Sequence, residues 1–499
     1  MELLFKKNVC PCLNWTARDL QIQEQTQEVK LPDSMPDAGR ILAGWGQCVL
    51  RSKEWRGSGM NISGGVMTWT LYEPEDKSDP VCVEAWVPFQ MKWDFPPTER
   101  EGKMQAACFL RAVDARVVSA RRLIVRVNVG VMGEAMESKE LYLYHPESVE
   151  ADVQLLKRTY PMDLPKEAGE KVFLIDETLS MPASCPVMNR LISYEIFPEV
   201  LDQKVVGERV IFRGNARLHM LYSTEEGRLQ CWDFEVPFSQ FTELDQEYGP
   251  EASVQFVLAV TSLELDVEED GQLHLKCGMA AQYVVSDRVM VELVEDAYSP
   301  IRTVELQRES LTLPAMLDQR REVCHSEQNV DQTGAQVADV AFWPDFPVLN
   351  RSGDTVQIEF PGTVQVLYYD ENGALQGELV HSREGRELAA DPAAGMHLLC
   401  GTPAAPQTIA SSTGILIKTD MAVEVQTVSE NGIPMVTGLE LGECMEPDPD
   451  RPSLILRRAG DEALWEIAKR SGSTVEAIRQ ANDLQAEPAS DRILLIPVP

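Results

Sequence analysis

Residue types that could do chemistry are scattered in this sequence rather than grouped. Histidine is a common general base and metal ligand, but none of the six forms a His-Glu-x-x-His or comparable cluster. They are His145, His219, His274, His325, His381 and His397. His219 takes an outward position in an alternating segment, which predicts a solvated or half-buried strand residue. We therefore expect no catalytic residue and no enzyme activity, since a hydrolase needs a nucleophile pair, a zinc cluster or paired carboxylates.

The cysteines give no metal or redox framework either. Eleven are spread singly from Cys10 to Cys444, and only Cys10 and Cys12 lie close together. No second cysteine or histidine pair completes a site beside these two, so we expect no bound metal. Glycine-rich phosphate-binding motifs are also missing from the sequence, so we expect no cofactor.

Charge and hydropathy limit the partners. The 499 residues contain 45 Lys+Arg against 79 Asp+Glu, a net charge of −34, which argues against nucleic acid as a partner. No apolar run approaches the ~20 residues of a membrane span. The first apolar stretch is followed, not preceded, by Lys6 and Lys7, which is not typical of a secretory signal. We expect a cytosolic protein without a membrane span.

An internal repeat is the most informative feature. A segment from Gly64 to Tyr72 is followed by Val87-Pro88-Phe89, and the same order recurs from Gly214 to Tyr222, followed by Val236-Pro237-Phe238. A weaker third copy runs from Gly362 to Tyr368. So many ordered matches favour three tandem modules.

Within each copy the apolar residues alternate, as in β-strands. Ala216, Leu218, Met220 and Tyr222 are spaced by two, and Asn372-Gly373 is a typical hairpin turn. The predicted fold class is mainly β, with three antiparallel sandwich-like modules followed by a small β-α-α-β domain. The predicted boundaries are a lead at 1–30, repeats at 31–150, 165–300 and 301–442, a Pro/Asp linker at 443–453 and the small domain at 454–499.

The C-terminal 46 residues change to helical periodicity between two short strands. Leu464, Ile467 and Ala468 share one helical face, Asp461 is placed to cap its start, and Gly472 suits its end. Ser473 and Glu476 form a capping-box pattern that predicts a second helix.

Residues 454–499 resemble a LysM domain. The resemblance is carried by Ala459-Gly460-Asp461, Leu464-Trp465, Thr474-Val475, Ala481-Asn482 and Leu494-Leu495-Ile496-Pro497. LysM domains grip N-acetylglucosamine-containing glycans between the loop before the first helix and the loop before the last strand. The resemblance implies glycan- or partner-binding residues at Gly460, Asp461, Glu462, Asn482, Asp483 and Leu484. Trp465 is either an exposed anchor for a docked protein or part of the small core.

Three positions depart from the LysM pattern. Glu462 and Asp483 replace the usual Thr and Pro, and Ser490-Asp491 replaces Gly-Gln. Added carboxylates do not help a groove for a neutral sugar, because burying them unpaired is costly. A protein ligand fits these changes at least as well as a glycan.

The repeats resemble the SPOCS domain of endospore-forming Firmicutes. The resemblance is best in the second copy, at Val210–Gly214, Leu221-Tyr222, Val236–Phe238 and Leu273–Val285. SPOCS repeats joined to a LysM domain resemble the SipL type of spore-coat morphogenesis protein. That resemblance implies a mother-cell cytosolic protein at the forespore surface that binds the coat-basement ATPase through its LysM domain. A peptidoglycan-binding protein and, more remotely, a wall hydrolase are the alternatives.

Overall fold

A computed structural model describes most of the chain. The described residues are 2–3, 5–56, 59–94, 102–269, 271–311, 315–353, 355–389, 394–411, 414–429, 432–445, 451–460, 462–485 and 492–498. The fold is mainly β, as the alternating pattern predicted, and the described sheets pair their strands antiparallel. The predicted capping residue Asp461 and the centre of the linker, 446–450, lie outside the described residues.

The first two three-stranded sheets are formed by residues 5–146. After a short β1 (Glu2–Leu3), their strands are β2 (Phe5–Lys30), β3 (Ala38–Arg56), β4 (Gly59–Pro74), β5 (Val81–Asp94), β6 (Gly102–Ser119) and β7 (Arg122–Pro146). One sheet has the order β2-β7-β6 and the other β3-β4-β5. Apolar side chains of both sheets, Trp45, Tyr72 and Val129 among them, form one buried core. Residues 5–30, expected as a lead, pair with β7 along their whole length.

Residues 154–298 repeat this arrangement. The strands are β8 (Gln154–Leu179), β9 (Met188–Thr224), β10 (Leu229–Tyr248), β11 (Ser253–Val267) and β12 (Leu273–Tyr298). One sheet has the order β11-β12-β8, and β10 pairs with β9 in the other. Their shared core contains Phe212, Tyr222 and Leu275.

The third copy lies between residues 302 and 444. Its strands are β13 (Arg302–Leu311), β14 (Ala315–Val330), β15 (Gln336–Pro344), β16 (Val348–Ser352), β17 (Thr355–Tyr369), β18 (Leu375–Ala389), β19 (Ala394–Pro403), β20 (Gln407–Ser411), β21 (Gly414–Ser429) and β22 (Ile433–Cys444). One sheet centres on β21 and another on β17, while β22 lies between β1 and β13 in a third. The predicted turn at Asn372-Gly373 is confirmed: it joins β17 to β18, and Gly373 has a φ of 78°.

Packing explains the recurring glycine and Pro-Phe. Gly64 pairs with Phe89 across β4 and β5, and Gly214 pairs with Phe238 across β9 and β10. In both copies the phenylalanine ring lies directly over the glycine, where a Cβ would overlap it. In the third copy the ring over Gly362 comes from Phe342 instead. Each glycine therefore makes room for an aromatic side chain that closes the core.

The C-terminal domain has the predicted β-α-α-β order. It consists of β23 (Leu454–Arg458), α1 (Leu464–Ser471), α2 (Val475–Asn482) and β24 (Ile493–Pro497), with β23 paired to β24. Gly472 ends α1 with a φ of 60°, as predicted. The predicted Ser473 cap is wrong: the hydroxyl of Thr474 accepts the Ala477 N–H at 3.1 Å and caps α2. Among the described helices, none is long and apolar enough to cross a membrane.

Candidate functional site

The loop before α1 is held by charge pairs. Glu462 accepts a hydrogen bond from Arg457 at 2.8 Å and a second from Arg470 at 3.2 Å, so its carboxylate is paired on both oxygens. Gly460 faces open space. Asp461, the remaining predicted residue of this loop, lies outside the described residues.

Asn482 is used inside the domain rather than at its surface. Its side-chain N–H₂ donates to the carbonyls of Ile478 and Leu495 at 2.7 and 2.6 Å, and its Oδ1 accepts the Leu495 N–H at 2.7 Å. These bonds satisfy a buried amide and tie α2 to β24. The residue that the LysM resemblance marks for ligand contact is therefore a structural bridge here.

The two predicted loops are joined through Arg492. The carbonyl of Arg492 accepts the Ala459 N–H at 2.7 Å, and its guanidinium donates to the Asn482 carbonyl at 2.8 Å. After Asn482 the chain turns at Asp483, an exposed residue with a φ of 52°, and Leu484 packs on the domain core. The structure thus brings the predicted loops together at one end of the domain.

Trp465 lies in a contact between the domain and the second copy. Its indole N–H donates to Asp296 Oδ2 at 2.8 Å, and its ring meets Tyr298 edge-on at a centroid distance of 4.8 Å. The Tyr298 hydroxyl donates to the carbonyl of Ser473 at 2.9 Å. Trp465 is buried by these contacts, so its indole ring is not exposed as an anchor for a docked protein.

Asp296 is the electrostatic centre of this contact. Lys469 of α1 donates to its Oδ2 at 2.7 Å, and Arg308 of β13 donates to its Oδ1 at 2.5 Å. Burial alone would raise the pKa of this carboxyl, but the bonds from Lys469 and Trp465 outweigh it and lower the pKa. A charged Asp296 therefore holds α1 against the end of β12.

A second cluster of ionisable groups joins all three copies. Nε2 of His219 lies 2.8 Å from Asp339 Oδ1 and its Nδ1 lies 2.9 Å from Asp233 Oδ1. The indole N–H of Trp45 donates to the other oxygen of Asp339 at 2.8 Å. Trp45 belongs to β3, His219 and Asp233 to β9 and β10, and Asp339 to β15, so this junction contains side chains from all three copies.

The prediction of a solvated or half-buried His219 is wrong, because the side chain is buried in this junction. Alternation correctly places it on the opposite face from Leu218 and Met220, but the third copy covers that face. Asp339 is 120 residues away in the sequence, and no local pattern marks the two as partners.

Both ring nitrogens of His219 face carboxylates, so both carry protons and donate. Burial lowers the pKa of this imidazole, but Asp339 and Asp233 outweigh burial and raise it to about 10. Burial also raises the pKa of the neighbouring Glu195 carboxyl to about 7, although His219 and a bond from Trp343 oppose that shift. An imidazolium held by two carboxylates has no free nitrogen to accept a proton, and it acts as a charged crosslink.

A cysteine near the junction is not activated. Burial of the Cys231 thiol, together with the charges of Asp339 and Asp233, raises its pKa to about 12, although the residue as a whole is exposed. A nucleophilic cysteine needs a lowered pKa and a base beside it. Among the described residues, no group of three or more His, Cys, Asp and Glu has the arrangement of a metal site.

One family model matches the chain, within the second copy. Residues 188–268, which form β9, β10 and β11, match the model described as SipL, SPOCS domain. This match supports the SPOCS resemblance and indicates a sporulation-associated protein. No curated protein and no solved structure matches the chain.

Proposed function

We propose that this chain is a non-enzymatic scaffold of spore-envelope assembly that docks a partner protein through a C-terminal LysM domain. The observation that carries the proposal is the SPOCS match at residues 188–268. The weaker likeness of the other two copies and the β-α-α-β order of residues 454–498 support it. The His219 junction supports a structural role for the body, since its one buried imidazole serves as a crosslink.

The resemblance to SipL-type proteins suggests a binding partner and a location in the cell. We propose that the partner is the coat-basement ATPase and that the protein acts in the mother-cell cytosol at the forespore surface. Protein docking is favoured over glycan binding because the Asn482 amide is satisfied internally and Glu462 is paired by two arginines. Both groups are already engaged within the domain, so a sugar hydroxyl would have to compete with these internal bonds.

Capture of the purified ATPase by the immobilised chain tests the proposal. We expect capture by the full chain and its loss when residues 454–499 are removed, with Glu327→Gln, a change at an exposed ion pair of β14, as the matched control. Equal capture by the truncated and the full chain would contradict docking through the C-terminal domain.

Co-sedimentation with purified peptidoglycan tests the glycan alternative. We expect the full chain to stay in the supernatant. Binding to the wall material that is lost on Asp483→Asn would support a glycan-binding protein instead, because Asp483 is exposed and asparagine also adopts the left-handed backbone of this position.

A further inference from the structure

The outer face of the β23–β24 sheet carries four exposed aliphatic side chains. Leu454 is 51 % exposed and Leu456 66 % on β23, while Ile493 is 63 % and Leu495 37 % exposed on β24. Leu456 and Leu495 are direct cross-strand partners, and Leu454 and Ile493 lie two residues from them along their strands. All four side chains therefore point to the same face, where Leu456 and Leu495 lie at the centre and Leu454 and Ile493 at opposite corners. Arg458, which is exposed and pairs with Ile493, lies at the edge of the same face.

This surface, which we call the aliphatic face, is not needed for the domain core. The intervening residues Ile455, Leu494 and Ile496 point inward and pack with α1 and α2. The domain meets the second copy through α1 and Ser473, on the helical side. The aliphatic face lies on the other side of the sheet and has no covering element among the described residues.

The distribution of charge along the chain and the arrangement of the four aliphatic residues favour a second copy of this chain as the molecule that covers the aliphatic face. The C-terminal domain carries six Lys and Arg against seven Asp and Glu, a net charge of −1, while the rest of the chain carries nearly all of the −34. Two copies that meet at this domain keep their acidic bodies apart, which limits like-charge repulsion. A half-turn that exchanges the two antiparallel strands also exchanges Leu454 with Ile493 and Leu456 with Leu495, although it places Arg458 on Pro497. A two-fold interface brings the same patch of two copies together, so these four residues would meet aliphatic side chains of the second copy.

We propose that the aliphatic face is a self-association site at which a second copy of this chain docks. The exposed area, a few hundred Å², is smaller than the roughly 800 Å² that each partner buries in a stable complex. The contact is therefore weak and concentration-dependent in solution. It becomes effective where many copies are held side by side, because each linked contact raises the local concentration for the next. This proposal is independent of the partner proposed above.

Analytical ultracentrifugation of the full chain over a range of concentrations tests the proposal. We expect the native chain to show monomer–dimer exchange, and Leu456→Glu with Ile493→Glu to weaken association at least about 100-fold, because a buried interface cannot accommodate unpaired carboxylates. Val172→Glu with Leu174→Glu is the matched control: these β8 residues are 61 % and 55 % exposed but lie in the second copy. The control pair should associate like the native chain.

Two results would overturn the proposal. One is a native chain that stays monomeric at every concentration, and the other is a Leu456/Ile493 variant that associates as strongly as the native chain. Should the glutamate pair prevent folding, Leu456→Thr with Ile493→Thr keeps strand-forming residues and removes most of the apolar surface. That pair must also weaken association for the proposal to stand.

Discussion

At the scale of single residues, His219 is a buried side chain that connects two of the three copies. It bridges Asp233 and Asp339 in a buried site, and removing one member of such a set leaves the other charges without compensation. We expect His219→Gln to lower the free energy of unfolding by about 3–5 kcal/mol. Chemical denaturation followed by circular dichroism measures this change.

The control for this variant is His325→Gln. His325 also pairs with an aspartate, Asp420, but its side chain is 69 % exposed, and exposed pairs contribute ~0–1 kcal/mol. Similar losses of stability in the two variants would contradict the role of His219 as a buried crosslink.

The same residue predicts a dependence on pH. The pKa of His219 is raised to about 10 in the folded chain, above the ordinary value of 6.5. Its contribution is therefore fully present below pH ~6.5 and is lost as the pH rises through 10. We expect the gap in melting temperature between the native chain and His219→Gln to narrow from pH 7 to pH 10.5. A gap that stays constant or widens over that range would refute this assignment.

The predicted ligand residues show what a sequence motif can and cannot predict about single side chains. The LysM resemblance points to Gly460 and Glu462, which lie before α1, and to Asn482, which is the last residue of α2. It does not reveal that Asn482 bonds Ile478 and Leu495, since a motif records the residue type but not the direction of its side chain.

At the scale of elements, the glycine that recurs in each copy allows a test of how tightly the aromatic ring packs against its strand. A Cβ on Gly214 would overlap the carbonyl of Glu199 and the ring of Phe238. We expect Gly214→Ala to destabilise the chain by about 1–3 kcal/mol through overpacking. The thermal midpoint measures this, and Gly249→Ala, where a Cβ meets no atom within 4 Å, is the control. A midpoint unchanged in both variants would show that both the Glu199 carbonyl and the Phe238 ring can move aside.

The sequence predicts which segments form strands better than it predicts which strands pair with one another. Alternation at Ala216, Leu218 and Met220 reports a buried face directly, and the Asn372-Gly373 turn fixes a hairpin register. The pairing of residues 5–30 with β7 has no such local signal, because the two segments are more than a hundred residues apart for most of their length. Non-local pairing depends on the whole chain rather than on a window of it.

At the scale of the whole molecule, one carboxylate supplies the charged contact between the C-terminal domain and the second copy. The Asp296 carboxylate accepts hydrogen bonds from the side chains of Trp465, Lys469 and Arg308. We expect Asp296→Ala to weaken docking by about 1–3 kcal/mol, since it removes the shared acceptor of these donors. Hydrogen–deuterium exchange of the full chain should show faster exchange in α1.

Glu292→Ala is the matched control for this change. Glu292 lies on the same strand, β12, but pairs with Lys157 at the surface. Its loss should leave exchange in α1 unaltered. If Asp296→Ala also leaves α1 unaltered, the Tyr298–Trp465 ring contact is sufficient to hold the domain.

The length of the paired strands has a mechanical consequence. β12 and β8 remain in antiparallel register from Leu273 opposite Leu179 to Tyr298 opposite Gln154, interrupted only by two bulges. The C-terminal domain rests on Tyr298, at one end of this ladder. A force that these side-chain contacts carry from the domain to β12 acts along the strand, parallel to the ladder. It loads many backbone hydrogen bonds at the same time, so the contacts at Asp296 and Tyr298 give way before the ladder does.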